Sequence, residues 1–146
     1  MTDVKIKLLR EGVDLPKYAT DGSAAFDLTC ASSEEIVVPA GKRVLIPTGI
    51  AISIPKNTVA IISARSGLSY KKGITAANGI GVIDSDYRGE IFFSAANISN
   101  EDYTVMPGER VAQMMIMPVL SANFIVCDEL DETERGAGGF GSTGKA

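Results

Sequence analysis

An all-β, antiparallel sandwich or barrel is the fold class this sequence predicts, and three observations predict it. About ten short runs are rich in β-branched and aliphatic residues, glycine and proline punctuate them at close intervals, and only one stretch suits even a short helix. Val4–Leu9 mostly alternates apolar with polar residues, as a half-buried strand does. Asp27–Cys30, Ile36–Val38, Arg43–Ile46, Gly49–Ile54 and Val59–Ser63 follow, punctuated by Pro39-Ala40-Gly41, Pro47 and Pro55. Ser66–Lys72 predicts a turn or two of helix that stops at Gly73. Gly79–Ile83, Ile91–Ile98, Tyr103–Met106, Arg110–Met117 and Asn123–Cys127 complete the strands. Past Cys127 the pattern ends in an acidic linker, Asp128–Glu134, and a glycine-rich tail, Arg135–Ala146. The expected organisation is a β-rich core over 1–127 and a linker with a mobile arm over 128–146.

At 146 residues and 45% hydrophobic content the chain is long and apolar enough for one core. A net charge of −4 argues against a general binder of nucleic acid or anionic membrane, while a few local arginines still suit a single nucleotide. No apolar run reaches membrane-spanning length and the N-terminus lacks a signal-peptide core, so a cytoplasmic protein is expected. Cys30 and Cys127 lie in or beside apolar segments without metal-ligand spacing, and are expected to be buried free thiols. The chain has no histidine, so any general base is a carboxylate, lysine, tyrosine or cysteine.

Several segments carry groups suited to phosphate and nucleoside chemistry. In Gly81–Glu90 two strands flank a turn containing Asp84, Ser85 and Asp86; Asp and Ser favour turns on their own, yet Asp84 is also a positioned carboxylate able to activate water. Tyr87 offers an aromatic face to a sugar or base. Ala64–Ser69 leaves a strand and opens the helix; it reads either as an anion site built from Arg65, Ser66 and backbone amides, or as a plain junction capped by Ser66. Gln113 interrupts the apolar strand that ends in Met114–Met117, and Asp27 interrupts Ala24–Leu28. A hydrogen-bonded Asp27 and an Asp27 that holds metal through water both fit. The tail sets Arg135, Phe140, Ser142 and Thr143 among glycines, the groups that clamp a polyphosphate and stack on a base, although such composition also makes plain flexible tails.

In this order, Ala24–Leu28, Arg65–Leu68, Asn78–Gly89, Gly108–Gln113 and Arg135–Gly144 closely resemble the five motifs of the trimeric dUTPase family. The resemblance implies a β-clip or jelly-roll-like antiparallel barrel with one short helix, assembled as a homotrimer with active sites shared between subunits. It implies hydrolysis of dUTP to dUMP and pyrophosphate with Mg2+, which limits uracil incorporation into DNA and supplies dUMP for dTMP synthesis. Asp84 matches the family's general base, acting on water that attacks the α-phosphorus in line. Asp27 matches the carboxylate that reaches magnesium through water, the ion being held mainly by substrate phosphates.

By the same resemblance Arg65, Ser66 and Gly67 are phosphate contacts, and Gln113 faces the α-phosphate and water. Asn78 reads uracil with backbone groups of Gly81, Val82 and Ile83. A pocket that pairs the uracil edge rejects cytosine because buried partners go unpaired. Tyr87 packs beneath deoxyribose, where a 2′-hydroxyl clashes, and Asp86 orients its neighbours. Arg135 matches the γ-phosphate arginine, Phe140 the ring over uracil, and Gly141, Ser142 and Thr143 further phosphate contacts. The nineteen residues after Cys127 reach up to roughly 60 Å extended, against a core radius of gyration of about 14 Å, so the arm is long enough to cross between protomers.

The related dCTP deaminases share the fold, but typically carry Arg-Ser-Ser where this chain has Arg65-Ser66-Gly67. They place a catalytic glutamate where this chain has Ser94. A nucleotide sensor or a capsid-like module is a different class of reading, which the full set of Asp27, Asp84, Gln113 and the tail argues against.

Overall fold

A computed structural model describes residues 2–139. The strands are β1 (Lys5–Leu8), β2 (Phe26–Thr29), β3 (Ile36–Val38), β4 (Arg43–Pro47), β5 (Ile50–Ser53) and β6 (Thr58–Ala64), followed by helix α1 (Ser66–Lys72). Then come β7 (Ile74–Ala76), β8 (Gly81–Ile83), β9 (Phe92–Asn97), β10 (Tyr103–Val105) and β11 (Arg110–Pro118). Every pairing is antiparallel. The protein is all-β with one short helix, as expected.

The expected barrel is not closed. The strands form a four-stranded sheet, β2-β11-β6-β8, a three-stranded sheet, β4-β9-β7, and the pairs β1-β5 and β3-β10. Proline explains part of this: Pro47 and Pro118 end β4 and β11, Pro39 follows β3 and Pro55 lies just beyond β5. Each lacks the amide that would continue a ladder.

Alternation builds the core. On β9 the inward residues are Phe93, Ala95 and Asn97, and on β11 Ala112 and Met114 are buried. Phe93, Ala95, Ala112 and Met114 join Leu28, Ile46, Ile50, Ile62, Ile74 and Val105 in a single apolar cluster between the sheets. Asn97 is the polar exception and is fully satisfied. Its Nδ2 donates to the Val38 and Glu101 carbonyls (2.9 and 2.7 Å), and its Oδ1 accepts from the Ser99 amide and hydroxyl (2.9 and 2.7 Å).

Helix α1 has the predicted limits, but Ser66 is not its cap. Arg65 occupies that position with extended backbone and no side-chain cap bond, and Ser66 is the first helical residue. Gly73 ends the helix in the left-handed region (φ 67°), its amide donating to the Ser69 carbonyl at 2.9 Å. A Cβ there would also strike Ser99. Lys71 and Lys72 in the last turn suit the carbonyl end of the helix.

Two expectations near the C-terminus are corrected. Asn123–Cys127 forms no strand, and Phe124, Ile125 and Val126 are more than 80% exposed. The run has strand-like composition, but a strand exists only against a partner, and among the described residues 123–127 join no sheet. For the same reason Cys127 is exposed, while Cys30 is buried as expected. β7 is not apparent in the sequence: three residues between a helix stop and a polar turn give too short a pattern. Among the described residues, no helix is long and apolar enough to cross a membrane.

Candidate active site

The four-stranded sheet lines up three polar side chains. Gln113 on β11 pairs with Asp27 on β2 and with Ser63 on β6, so all three share one face. The Gln113 amide nitrogen donates to Ser63 Oγ (3.2 Å) and the Ala64 carbonyl (3.3 Å). Arg65, just beyond β6, sends Nε to Asp27 Oδ1 at 2.8 Å, and Arg110 sends Nη1 to Asp27 Oδ2 at 3.1 Å. Asp27 therefore holds two guanidinium groups side by side, one on each oxygen.

Arg110 reaches that face because of an irregularity. It pairs with Thr29 while Ala112 pairs with Leu28, so β11 spends one extra residue, Val111, against β2. In an unbroken strand Arg110 and Gln113 would point to opposite faces. The bulge returns Arg110 to the side of Asp27 and Gln113. Sequence reasoning gives Arg110 no role, because the bulge is a count between two strands far apart in the chain.

These groups line a cleft of about 920 Å³ that also includes Ser66, Gly67, Lys71 and Lys72. Arg65, Arg110, Lys71 and Lys72 outnumber the two carboxylates of its wall, Asp27 and Glu109. Such a cleft suits a polyphosphate anion. Neither lysine stands out in the sequence, where both read as the end of a short helix.

Glu109 braces the turn before β11. It accepts the Tyr103 hydroxyl and, at 3.0 Å, the Met106 amide. Burial, and then the bond to Glu109, push the Tyr103 phenol up to about 12 from an ordinary 10.0. A raised value means this contribution to stability is intact below pH 10 and is lost as pH rises through about 12. Tyr103→Phe is expected to flatten the alkaline fall in urea-derived stability between those limits. An unchanged curve would show that the phenol does not contribute.

The third segment lies apart from the cleft. Asn78 is exposed in the turn after β7, and Gly81, Val82 and Ile83 form β8. Asp84 follows β8 and is exposed; its carbonyl accepts the Tyr87 amide at 3.1 Å. Arg88 Nη1 closes the turn on the Ser85 and Tyr87 carbonyls (2.8 and 2.7 Å), and Asp86 is exposed beside it. Ile83 pairs with Ala60, which sets Asp84 near Val59, whereas Gln113 sits beside Ser63. Four residues along β6 separate the two by roughly 13 Å. One chain thus brings together Asp27, Arg65, Ser66, Gly67 and Gln113, and leaves Asn78, Asp84 and Tyr87 outside their cleft. Arg135 is exposed and likewise outside it. Phe140, Gly141, Ser142 and Thr143 lie outside the described residues.

Among the described residues, no three carboxylate, thiol or imidazole groups converge as a metal cage. Asp27, with both oxygens on guanidinium groups, fits an outer carboxylate better than a direct ligand.

A family model described as dUTPase matches residues 11–144. The deoxyuridine 5'-triphosphate nucleotidohydrolase of Desulfitobacterium hafniense (strain DSM 10664 / DCB-2) is 48% identical over 149 residues, covering 99% of each chain. The protein of the same description from Legionella pneumophila is 51% identical over 135 residues, covering 91% of this chain and 88% of its own. Among solved structures, a variant of the Staphylococcus bacteriophage 80alpha dUTPase with dUpNHpp superposes with a TM-score of 0.90 at 25% identity, covering 99% of this chain and 100% of that one. A variant dUTPase of phage phi11 of S. aureus, described as coordinating a structural Mg(II) ion, shares the fold with a TM-score of 0.80 at 22% identity, covering 89% of this chain and 99% of that one.

Proposed function

The chain belongs to the dUTPase family and hydrolyses dUTP to dUMP and pyrophosphate; we propose that it does so at sites shared between the subunits of a homotrimer, with Asp84 as the base. The observation that carries this reading is the division of the site. Among the described residues the cationic cleft holds no free carboxylate, since Asp27 is committed to Arg65 and Arg110 and Glu109 to the turn it braces, while Asp84 stands roughly 13 Å away along the sheet. A second copy offering its Asp84 hairpin to the cleft unites the two halves. The exposed apolar run at Phe124–Val126, which joins no sheet among the described residues, supports association with other copies.

In this reading Arg65, Ser66 and Gly67 hold the triphosphate, and Gln113, its amide nitrogen occupied by Ser63 and Ala64, presents its oxygen to water. Asp84 takes the proton as the water oxygen bonds to the α-phosphorus; the bond to the bridging oxygen breaks and pyrophosphate leaves. Asn78 and the backbone of Gly81, Val82 and Ile83 read uracil, and Tyr87 packs beneath deoxyribose. Arg135, Phe140, Gly141, Ser142 and Thr143 close over the nucleotide from another copy. Magnesium, carried by the phosphates with Asp27 as outer carboxylate, neutralises charge on the phosphate oxygens when bound. The cytoplasm is the proposed setting, in keeping with the free thiols Cys30 and Cys127.

Pyrophosphate release from dUTP, dCTP and dTTP, each with and without magnesium, tests the assignment. Release from dUTP alone, stimulated by magnesium, is expected. Ammonia from dCTP would indicate a deaminase, and dUTP binding without product a sensor.

A further inference from the structure

We propose that the Arg10–Glu90 ion pair is a positioning element that fixes Tyr87 and so sets the preference for deoxyribose over ribose, which rests on the reading that Tyr87 packs beneath the sugar. Arg10, just beyond β1, grips both carboxylate oxygens of Glu90, with Nη2 at 2.8 Å from Oε2 and Nη1 on Oε1. The Gly49 amide donates to the same carboxylate at 2.9 Å. The contact with Arg10 is the main reason the Glu90 carboxyl lies below its ordinary range. The neighbouring Ile91 is buried, its amide donating to the Ile50 carbonyl (2.9 Å) and its carbonyl accepting the Thr48 hydroxyl (2.6 Å). Residues 90–91 are thereby fastened to the corner between β4 and β5.

Tyr87 depends on that fastening. Its hydroxyl donates to the Glu90 carbonyl at 2.9 Å. Its ring lies over Gly89 so closely that a Cβ there would strike the hydroxyl oxygen and Cζ. The ring is thus held at its tip by Glu90 and from below by Gly89, and remains partly exposed. Discrimination against a 2′-hydroxyl is a matter of shape, so it is lost when the ring can withdraw. The grip on the Glu90 side chain limits how far the Glu90 carbonyl, and the phenol on it, can move.

The test compares kcat/KM for dUTP and UTP in Glu90→Ala, Arg10→Met, Arg10→Lys, Tyr87→Leu and the double variant Tyr87→Leu/Glu90→Ala. Glu90→Ala and Arg10→Met are expected to lower the dUTP:UTP ratio about tenfold, mainly through a gain in UTP turnover, with kcat for dUTP little changed. Arg10→Lys retains the charge and should restore most of the ratio. Tyr87→Leu should lose the preference, and adding Glu90→Ala to it should cost nothing more. An unchanged ratio in Arg10→Met, or additive losses in the double variant, overturns the proposal. Arg10 is half-exposed, so Arg10→Met decides the matter even where Glu90→Ala does not fold. If Tyr87→Leu keeps the full preference, it is the placement of Tyr87 under the sugar that fails.

Discussion

Asp84→Asn is expected to bind dUTP normally and to turn it over about 10³-fold more slowly. The substitution keeps the size and shape of the side chain and removes its capacity to take a proton from water. It leaves the local fold alone, because the contact that shapes the turn is made by the Asp84 carbonyl, which accepts the Tyr87 amide at 3.1 Å. Thermal melting and affinity for a non-hydrolysable imido analogue should match the parent, and single-turnover rates should carry the whole effect. The chain has no histidine to substitute as base. Near-normal turnover would therefore remove Asp84 from the mechanism and send the search to Asp86.

Ending the chain at Glu134 should cost at least about 10-fold in kcat/KM while leaving the proposed trimer folded. The scale follows from a charge-assisted hydrogen bond being worth about 1.5–3 kcal/mol, with Arg135 the arginine assigned to the terminal phosphate. The fold should survive because the apolar cluster and the residues packed against it extend no further than Ile116, and Asp128–Glu134 is exposed throughout. Native mass and melting temperature check the fold, and initial rates check the loss. Unfolding of the shortened chain would make the tail a structural element; full activity would show that Arg135–Ala146 takes no part in closing the site.

Local patterns are legible in the sequence and long-range juxtapositions are not. Ile36–Val38 and Ser66–Lys72 can be bounded from the chain because apolar spacing and punctuation, Pro39 in one case and Gly73 in the other, fall at their ends. Asn123–Cys127 misleads because composition records a liking for extended backbone and says nothing about a partner strand. The separate candidates Asp27, Arg65 and Gln113 are each readable, since a charged or amide side chain in an apolar run is conspicuous. That Asp27 binds both Arg65 and Arg110 is not readable. Nor is the grip of Arg10 on Glu90, which joins segments 80 residues apart.

The bulge at Val111 makes the path of the strand itself a part of the site. Ala112 and Met114 keep step with the core and Gln113 with the cleft, while Arg110 belongs to the opposite phase and is brought into line by one supernumerary residue. Straightening the strand with Val111 retained would leave every downstream side chain in its place and rotate Arg110 into the apolar interior. The placement of Arg110 is thus a property of the backbone path and not of any side chain: a change that irons out the bulge parts Arg110 from Asp27 and Gln113 while every residue of the cleft keeps its identity.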